Sequence, residues 1–245
     1  MAVKVKTYIP LIVLSIVAIA CLSFAEVERS DMRCTDMFIV IEKNKSHSDF
    51  ITVDDVYDLL QTNRNQMIGN EIKNIDIHEI ESLVEQNPMV LDCETYTTIK
   101  GELYIRIKQR TPIVRVLDGT DSYYIDEEGV KMPMSRHASA RVVVASGNVS
   151  EKNIPTILSF VREIKKDELL SPMIEQIYVT NQSEYVLVSK VGPAKIDFGD
   201  ADNFERKFRY IRTFYTADKV RENWQNYERI SVKFNNQIVC TKKLK

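Results

Sequence analysis

Between Tyr8 and Ala25 the sequence "YIPLIVLSIVAIACLSFA" carries no charged residue, and this one run constrains where everything after it must fold. As a helix it would extend about 27 Å at about 1.5 Å per residue, close to the about 30 Å of a bilayer's hydrocarbon core. Lys4 and Lys6 precede it, whereas Glu26, Glu28 and Asp31 follow it. The positive-inside rule then makes residues 1–7 a short cytoplasmic tail, 8–25 a single membrane span and 26–35 a polar stalk outside. A basic start, an apolar middle and the small-residue ending "SFA" also describe a cleaved signal peptide, and Ala20-Cys21 faintly resembles a lipoprotein cleavage box. All three readings export the remainder of the chain.

That remainder has an ordinary globular composition. The 245 residues are 44% hydrophobic and 28% charged, enough for one large or two small cores. Thirty-three basic against 35 acidic residues leave a formal charge of −2, which provides neither a nucleic-acid footprint nor a polybasic membrane patch. Four cysteines, Cys21, Cys34, Cys93 and Cys240, stand at irregular spacing without a CxxC. They suggest no zinc or redox motif, and Cys93 and Cys240 read as small strand residues.

Periodicity gives the order of elements from residue 36 onward. "DMFIVIEK" alternates as a strand. Thr52 and Asp55 form a capping-box-like start for a short helix with Val53, Val56, Leu59 and Leu60 on one face. Asp76 and Glu79 cap a second helix with the stripe Ile77, Ile80, Leu83 and Val84, which Pro88 ends. "MVLDCETYT" and "GELYIRIKQR" follow as strands joined across Thr98 to Gly101, and Leu103, Ile105 and Ile107 mark the buried face of the second. The expectation for residues 36–110 is a β-α-α-β-β domain, a three-stranded sheet with two helices on one side.

A second domain, residues 111–245, is expected to be α+β with a mainly antiparallel sheet. "PIVRVLDG" and "SYYI" read as strands, and "DEEG" has the turn order in which Asp126 accepts from nearby amides while Gly129 takes a positive φ. A strand "RVVVAS" precedes a helix whose stripe is Ile154, Ile157, Leu158, Val161 and Ile164. Three strands and the helix of Phe204, Phe208, Ile211 and Tyr215 come next, the latter with a D-x-x-E start at Asp202. "RISVKFNNQIVCTKK" closes the sequence as a hairpin turning at Asn235-Asn236 and returning over Gln237 to Lys243.

Catalytic material is sparse. His47, His78 and His137 have no metal-ligand spacing, and there is no G-x-S-x-G, P-loop or dinucleotide fingerprint. Asp126, Glu127 and Glu128 are explained by turn chemistry rather than by general acid and base work. Tyr123-Tyr124 is a possible sugar-stacking pair, but one ring packed inward and one outward is the simpler reading. No enzyme, cofactor or metal site is expected.

A β-α-α-β-β module just beyond one apolar span, with a last strand running through Arg110-Thr111-Pro112 into "RV...YYID..G..MP", and a terminal "RIS" hairpin, resembles the FtsQ/DivIB family of bacterial cell-division proteins. The resemblance covers nearly the whole chain, with Gln109 where the family often has Glu, and the style of the hairpins is similar to members from the Bacteroidetes. It implies a POTRA domain at about residues 36–109 and a non-enzymatic scaffold of the inner membrane, at the division septum, with its bulk periplasmic. Its partners would be FtsB-like and FtsL-like single-span proteins. An exported cell-wall enzyme or glycan-binding protein is the alternative, and an outer-membrane assembly factor lacks the strands for a barrel. The family's C-terminal hairpin takes up a partner segment as an added strand. That carry-over names Gln237, Ile238, Val239, Cys240, Thr241 and Lys242 as the receiving edge, with Val239→Pro as the substitution that interrupts the ladder. Arg229 would be the charge that holds the partner's acids. Arg110, Thr111 and Pro112 would be an interdomain joint.

Overall fold

In the computed structural model the chain is described over residues 12–19, 32–43, 49–60, 67–119, 121–217 and 224–243. It divides into two compact units, Met1–Asn44 with Ile51–Gln109, and Lys45–Phe50 with Arg110–Lys245. Arg110, read from sequence as the last residue of the first domain, groups with the second. Of the Tyr8–Ala25 run, residues 12–19 are helical and exposed, and the rest lies outside the described residues. No described helix is long and apolar enough to cross a membrane.

The first unit is built from β1 (Asp36–Glu42), α1 (Val53–Leu59), α2 (Ile77–Glu85), β2 (Val90–Thr97) and β3 (Glu102–Gln109). Its sheet has the order β1-β3-β2, with β1 parallel and β2 antiparallel to the central β3. The parallel pair follows from the two-helix crossover between β1 and the β2–β3 hairpin. Thr52 and Asp55 complete a reciprocal capping box for α1, Asp55 Oδ2 accepting from the Thr52 amide at 2.8 Å. Asp76 caps α2 through the Glu79 amide at 3.0 Å. Only part of the expected α1 stripe is core: Val56 and Leu60 are buried while Val53 and Leu59 are exposed. Helix α1 has two turns, so one face holds too few positions to bury all four. Gln109 is buried and bridges the unit, accepting from the Ile51 amide and donating to the Glu42 carbonyl, both at 3.3 Å. A carboxylate there could not make the second bond.

The second unit contains β4 (Pro112–Asp118), β5 (Asp121–Asp126), β6 (Lys131–Met132), β7 (Val143–Gly147), α3 (Ile154–Lys166) and α4 (Leu170–Met173). It continues with β8 (Ile174–Val179), β9 (Tyr185–Ser189), β10 (Lys195–Gly199), α5 (Phe204–Thr216), β11 (Tyr227–Ser231) and β12 (Val239–Lys242). The strands form one nine-stranded sheet in the order β12-β11-β10-β9-β8-β7-β4-β5-β6. It is mixed: β4–β7, β7–β8 and β10–β11 run parallel, and the other five neighbouring pairs are antiparallel. Helix α3 makes the crossover between β7 and β8, and α5 the one between β10 and β11, which is the connection parallel neighbours require. Phe160 of α3 lies at the centre of the core with ring centroids 4.8 Å from Phe198, 4.9 Å from Tyr185 and 5.6 Å from Phe208. Helix α5 starts at Phe204 after Asn203 in the left-handed region (φ 51°), with no side-chain cap, so Asp202 is not the N-cap its D-x-x-E order suggested.

Candidate functional site

The terminal hairpin is tied down at its turn and open along one side. Helix α5 supplies the tie: Arg206 donates to Asn235 Oδ1 at 2.6 Å, and Tyr210 donates to Asn236 Oδ1 at 3.2 Å while accepting from the Asn236 amide at 3.3 Å. Asn236 takes the left-handed conformation, φ 60°. The turn is longer than its Asn-Asn centre, and β12 resumes at Val239, so Gln237 and Ile238 belong to the approach and not to the ladder. Strand β12 pairs antiparallel with β11, Ser231 opposite Val239, Ile230 opposite Cys240 and Arg229 opposite Thr241. Ile238 and Cys240 are half-buried against the core; Val239, Thr241 and Lys242 are exposed.

Successive amides of a strand point to opposite sides, so two hydrogen bonds fix which groups of β12 are free. The Val232 amide donates to Asp197 of β10, which turns Ser231 and Arg229 toward β12; the Lys243 amide donates back to Asn226. Val239, Thr241 and Lys243 therefore face β11, and the backbone groups of Cys240 and Lys242 face away from the sheet. No described strand pairs with that outer side. Proline at Val239 would cut the hairpin's own ladder. The substitutions that address the open edge are at Cys240 and Lys242.

Arg229 lies on β11, one strand in from the edge, and its guanidinium is already engaged. Its Nε donates to Asp197 Oδ2 at 2.9 Å and its terminal nitrogen to Asp197 Oδ1, a two-point pairing across the parallel β10–β11 register. Asp197 raises the Arg229 pKa further above its ordinary value through these hydrogen bonds. The Arg229 side chain stays 52% exposed, so the pair is presented to solvent as a nearly neutral unit.

The first unit's sheet has an edge at β2, and its outward donors are occupied. On β2, the outward amides of Cys93 and Thr95 donate to Glu85 Oε1 at 3.3 Å and Glu81 Oε1 at 2.8 Å, both from α2. Two carboxylates spaced i, i+4 thus occupy the donors an incoming strand would use, one way natural sheets protect an edge. Nothing in the periodicity of β2 signals this; the spacing Glu81–Glu85 on the helix does, once the helix is known to run beside β2.

At the joint, Arg110 Nη1 donates to Asp126 Oδ2 at 2.7 Å and to Glu128 Oε2 at 3.0 Å. Burial opposes the charged guanidinium, but the two carboxylates outweigh it and raise the Arg110 pKa. Asp126 also accepts from the Glu128 and Val130 amides at 2.9 and 2.7 Å, with Gly129 at φ 90°, as its turn order requires. Pro112 opens β4 opposite Asp126, a strand-start position where its missing donor is tolerated. Thr111 only links the two.

Of the tyrosine pair, Tyr124 is buried and bonds Ser139 and the Ala140 amide, whereas Tyr123 lies under the Lys131 ammonium at 3.9 Å. One face of the Tyr123 ring is therefore already covered. His47 lies outside the described residues, His78 and His137 are exposed, and no described group of three or more His, Cys, Asp or Glu could hold a metal ion. Cys34, Cys93 and Cys240 are free thiols.

A β-α-α-β-β unit with a parallel β1–β3 pair, followed by a mixed sheet that ends in an unpaired hairpin, defines a two-part protein whose exposed chemistry is backbone and charge pairing. Residues 32–108 match the POTRA-like domain, and residues 111–241 match the family described as FtsQ/DivIB, C-terminal related. The chain belongs to this FtsQ/DivIB-related family. No curated protein matches it.

Proposed function

We propose that this protein is a non-enzymatic cell-division scaffold, anchored in the inner membrane through Tyr8–Ala25 with its two folded units outside the cytoplasm. Its β12 edge takes up a segment of an FtsB-type partner, in company with an FtsL-type protein, as a tenth strand. The observation that carries the reading is the outward row of Cys240 and Lys242 backbone groups at the end of a nine-stranded sheet. Main-chain bonds would provide affinity. Exposed Val239 and Thr241 would meet the partner's side chains on one face of the added strand.

The test is capture of the exported segment of an FtsB-type partner by the full chain. Cys240→Pro and Lys242→Pro each remove an outward donor and should weaken capture at least about tenfold, about 1.4 kcal/mol, with thermal melting little changed. Arg229→Glu should do less than either proline variant at ordinary salt, because Asp197 already neutralises Arg229. Capture that survives both proline variants places the partner elsewhere, and hydrolysis of purified cell wall by the chain replaces the scaffold with an enzyme.

A further inference from the structure

One face of the first unit's sheet is covered by α1 and α2; the other carries the outward side chains of β1, β3 and β2 in register. Phe38, Tyr104 and Tyr96 form one row across the three strands, and Val40, Arg106 and Glu94 the next. Beyond these lie Asp36 with Glu102 at one end and Glu42, Lys108 and Asp92 at the other. Phe38, Val40 and Tyr96 keep 38%, 43% and 36% of their surface exposed in the whole chain. We propose that this face is a docking surface for a cationic polypeptide segment that bears an apolar stripe.

The ring geometry narrows the choice of ligand. Phe38 and Tyr104 have centroids 5.0 Å apart and Tyr104 and Tyr96 5.4 Å apart, the latter with ring planes within 5°. Parallel rings that close cannot lie side by side without collision, so they stand on the sheet and stack face against face. Stacking takes up both faces of Tyr104 and the inner faces of Phe38 and Tyr96, and Arg106 lies 5.7 Å from the Tyr96 ring centre. A pyranose therefore finds no broad aromatic platform here, only the upright outer face of Phe38, since sugar stacking needs free ring faces.

Charge excludes a second class. Among the described residues the face holds the carboxylates Asp36, Glu42, Asp92, Glu94 and Glu102 against Arg106 and Lys108, and Arg106 is already drawn to Glu94 at 3.7 Å and Glu42 at 4.0 Å. A net negative surface repels phosphates, whether of nucleic acid or of an anionic lipid. What fits is a segment whose apolar side chains lie on the row of Phe38 and Tyr96 and on Val40. Its Lys or Arg side chains reach outward to the acids on both sides. The acidic rows are three two-residue steps apart, about 20 Å at about 3.3 Å per residue. A helix about 10–12 Å across with long basic side chains spans that distance.

The test pans a displayed library of random peptides against the full chain in nonionic detergent. Peptides also held by a Phe38→Asp, Val40→Asp double variant are removed. The surviving peptides should be net cationic with spaced apolar residues. A charge-only variant, Glu42→Lys with Glu94→Lys, should bind them about tenfold more weakly at low salt and lose less at high salt, because screening removes the term it alters. Thermal melts confirm that both variants fold. Neutral or acidic survivors, survivors that bind the charge variant equally well, or no survivors overturn the proposal. So does concentration-dependent dimerisation abolished by the apolar double variant, which would make the occupant a second copy of the chain.

Discussion

Arg110 and Asp126 show how much of this protein rests on single polar groups. Asp126 is buried and satisfies two turn amides and one guanidinium at once, so Asp126→Ala takes the acceptor from both amides and leaves Arg110 with Glu128 alone. Loss of a buried pair costs about 3–5 kcal/mol, and the lower end applies because Glu128 remains to hold Arg110. A chemical-denaturation midpoint shifted by that amount is expected, with the unfolding slope unchanged. Cys93 makes a second residue-scale prediction. Burial first, with Glu81 and Glu85 adding to it, pushes its thiol from the ordinary 9.0 up to about 11. The folded state therefore holds a proton that the unfolded state has lost across this window. The corresponding stability is complete below pH 9 and falls as pH rises toward 11. Melting temperatures measured across that range should decline less steeply in Cys93→Ala.

Among the elements, the helices and most strands were legible because their signals are local. Thr52 with Asp55, and Asp76 with Glu79, announce helix starts by chemistry confined to one turn, and Leu103, Ile105 and Ile107 announce a strand by period alone. Strand order was not legible. The parallel β10–β11 pair and the central place of β3 depend on which strands a crossover brings together, and no single segment encodes that. The candidate edge was legible as a hairpin but not in register: Gln237 and Ile238 fall outside β12 because α5 holds a longer turn through Tyr210 and Arg206. The closure of β2 by Glu81 and Glu85 was hidden for the same reason, being a contact between elements. Replacing both with alanine should leave stability within about 2 kcal/mol, as water can serve the freed amides, yet open that edge. Sedimentation should show self-association in the alanine variant and none in Glu81→Gln with Glu85→Gln, which keeps the acceptor oxygens.

Taken whole, the chain has one sheet edge closed by carboxylates and another, at β12, with no described strand beyond it after nine strands and with Lys242 and Lys243 beside it. Natural sheets blunt exposed edges, and the proposed strand addition supplies a reason for leaving this one free. Hydrogen exchange read residue by residue, with and without an FtsB-type segment, tests the strand-addition account most directly. In the free chain the amides of Val239 and Thr241 should exchange slowly and those of Cys240 and Lys242 fast. The complex should slow Cys240 and Lys242 at least about tenfold while leaving the other two nearly as they were. Fast exchange at Cys240 and Lys242 in a saturated complex, with new protection elsewhere in the chain, would contradict it.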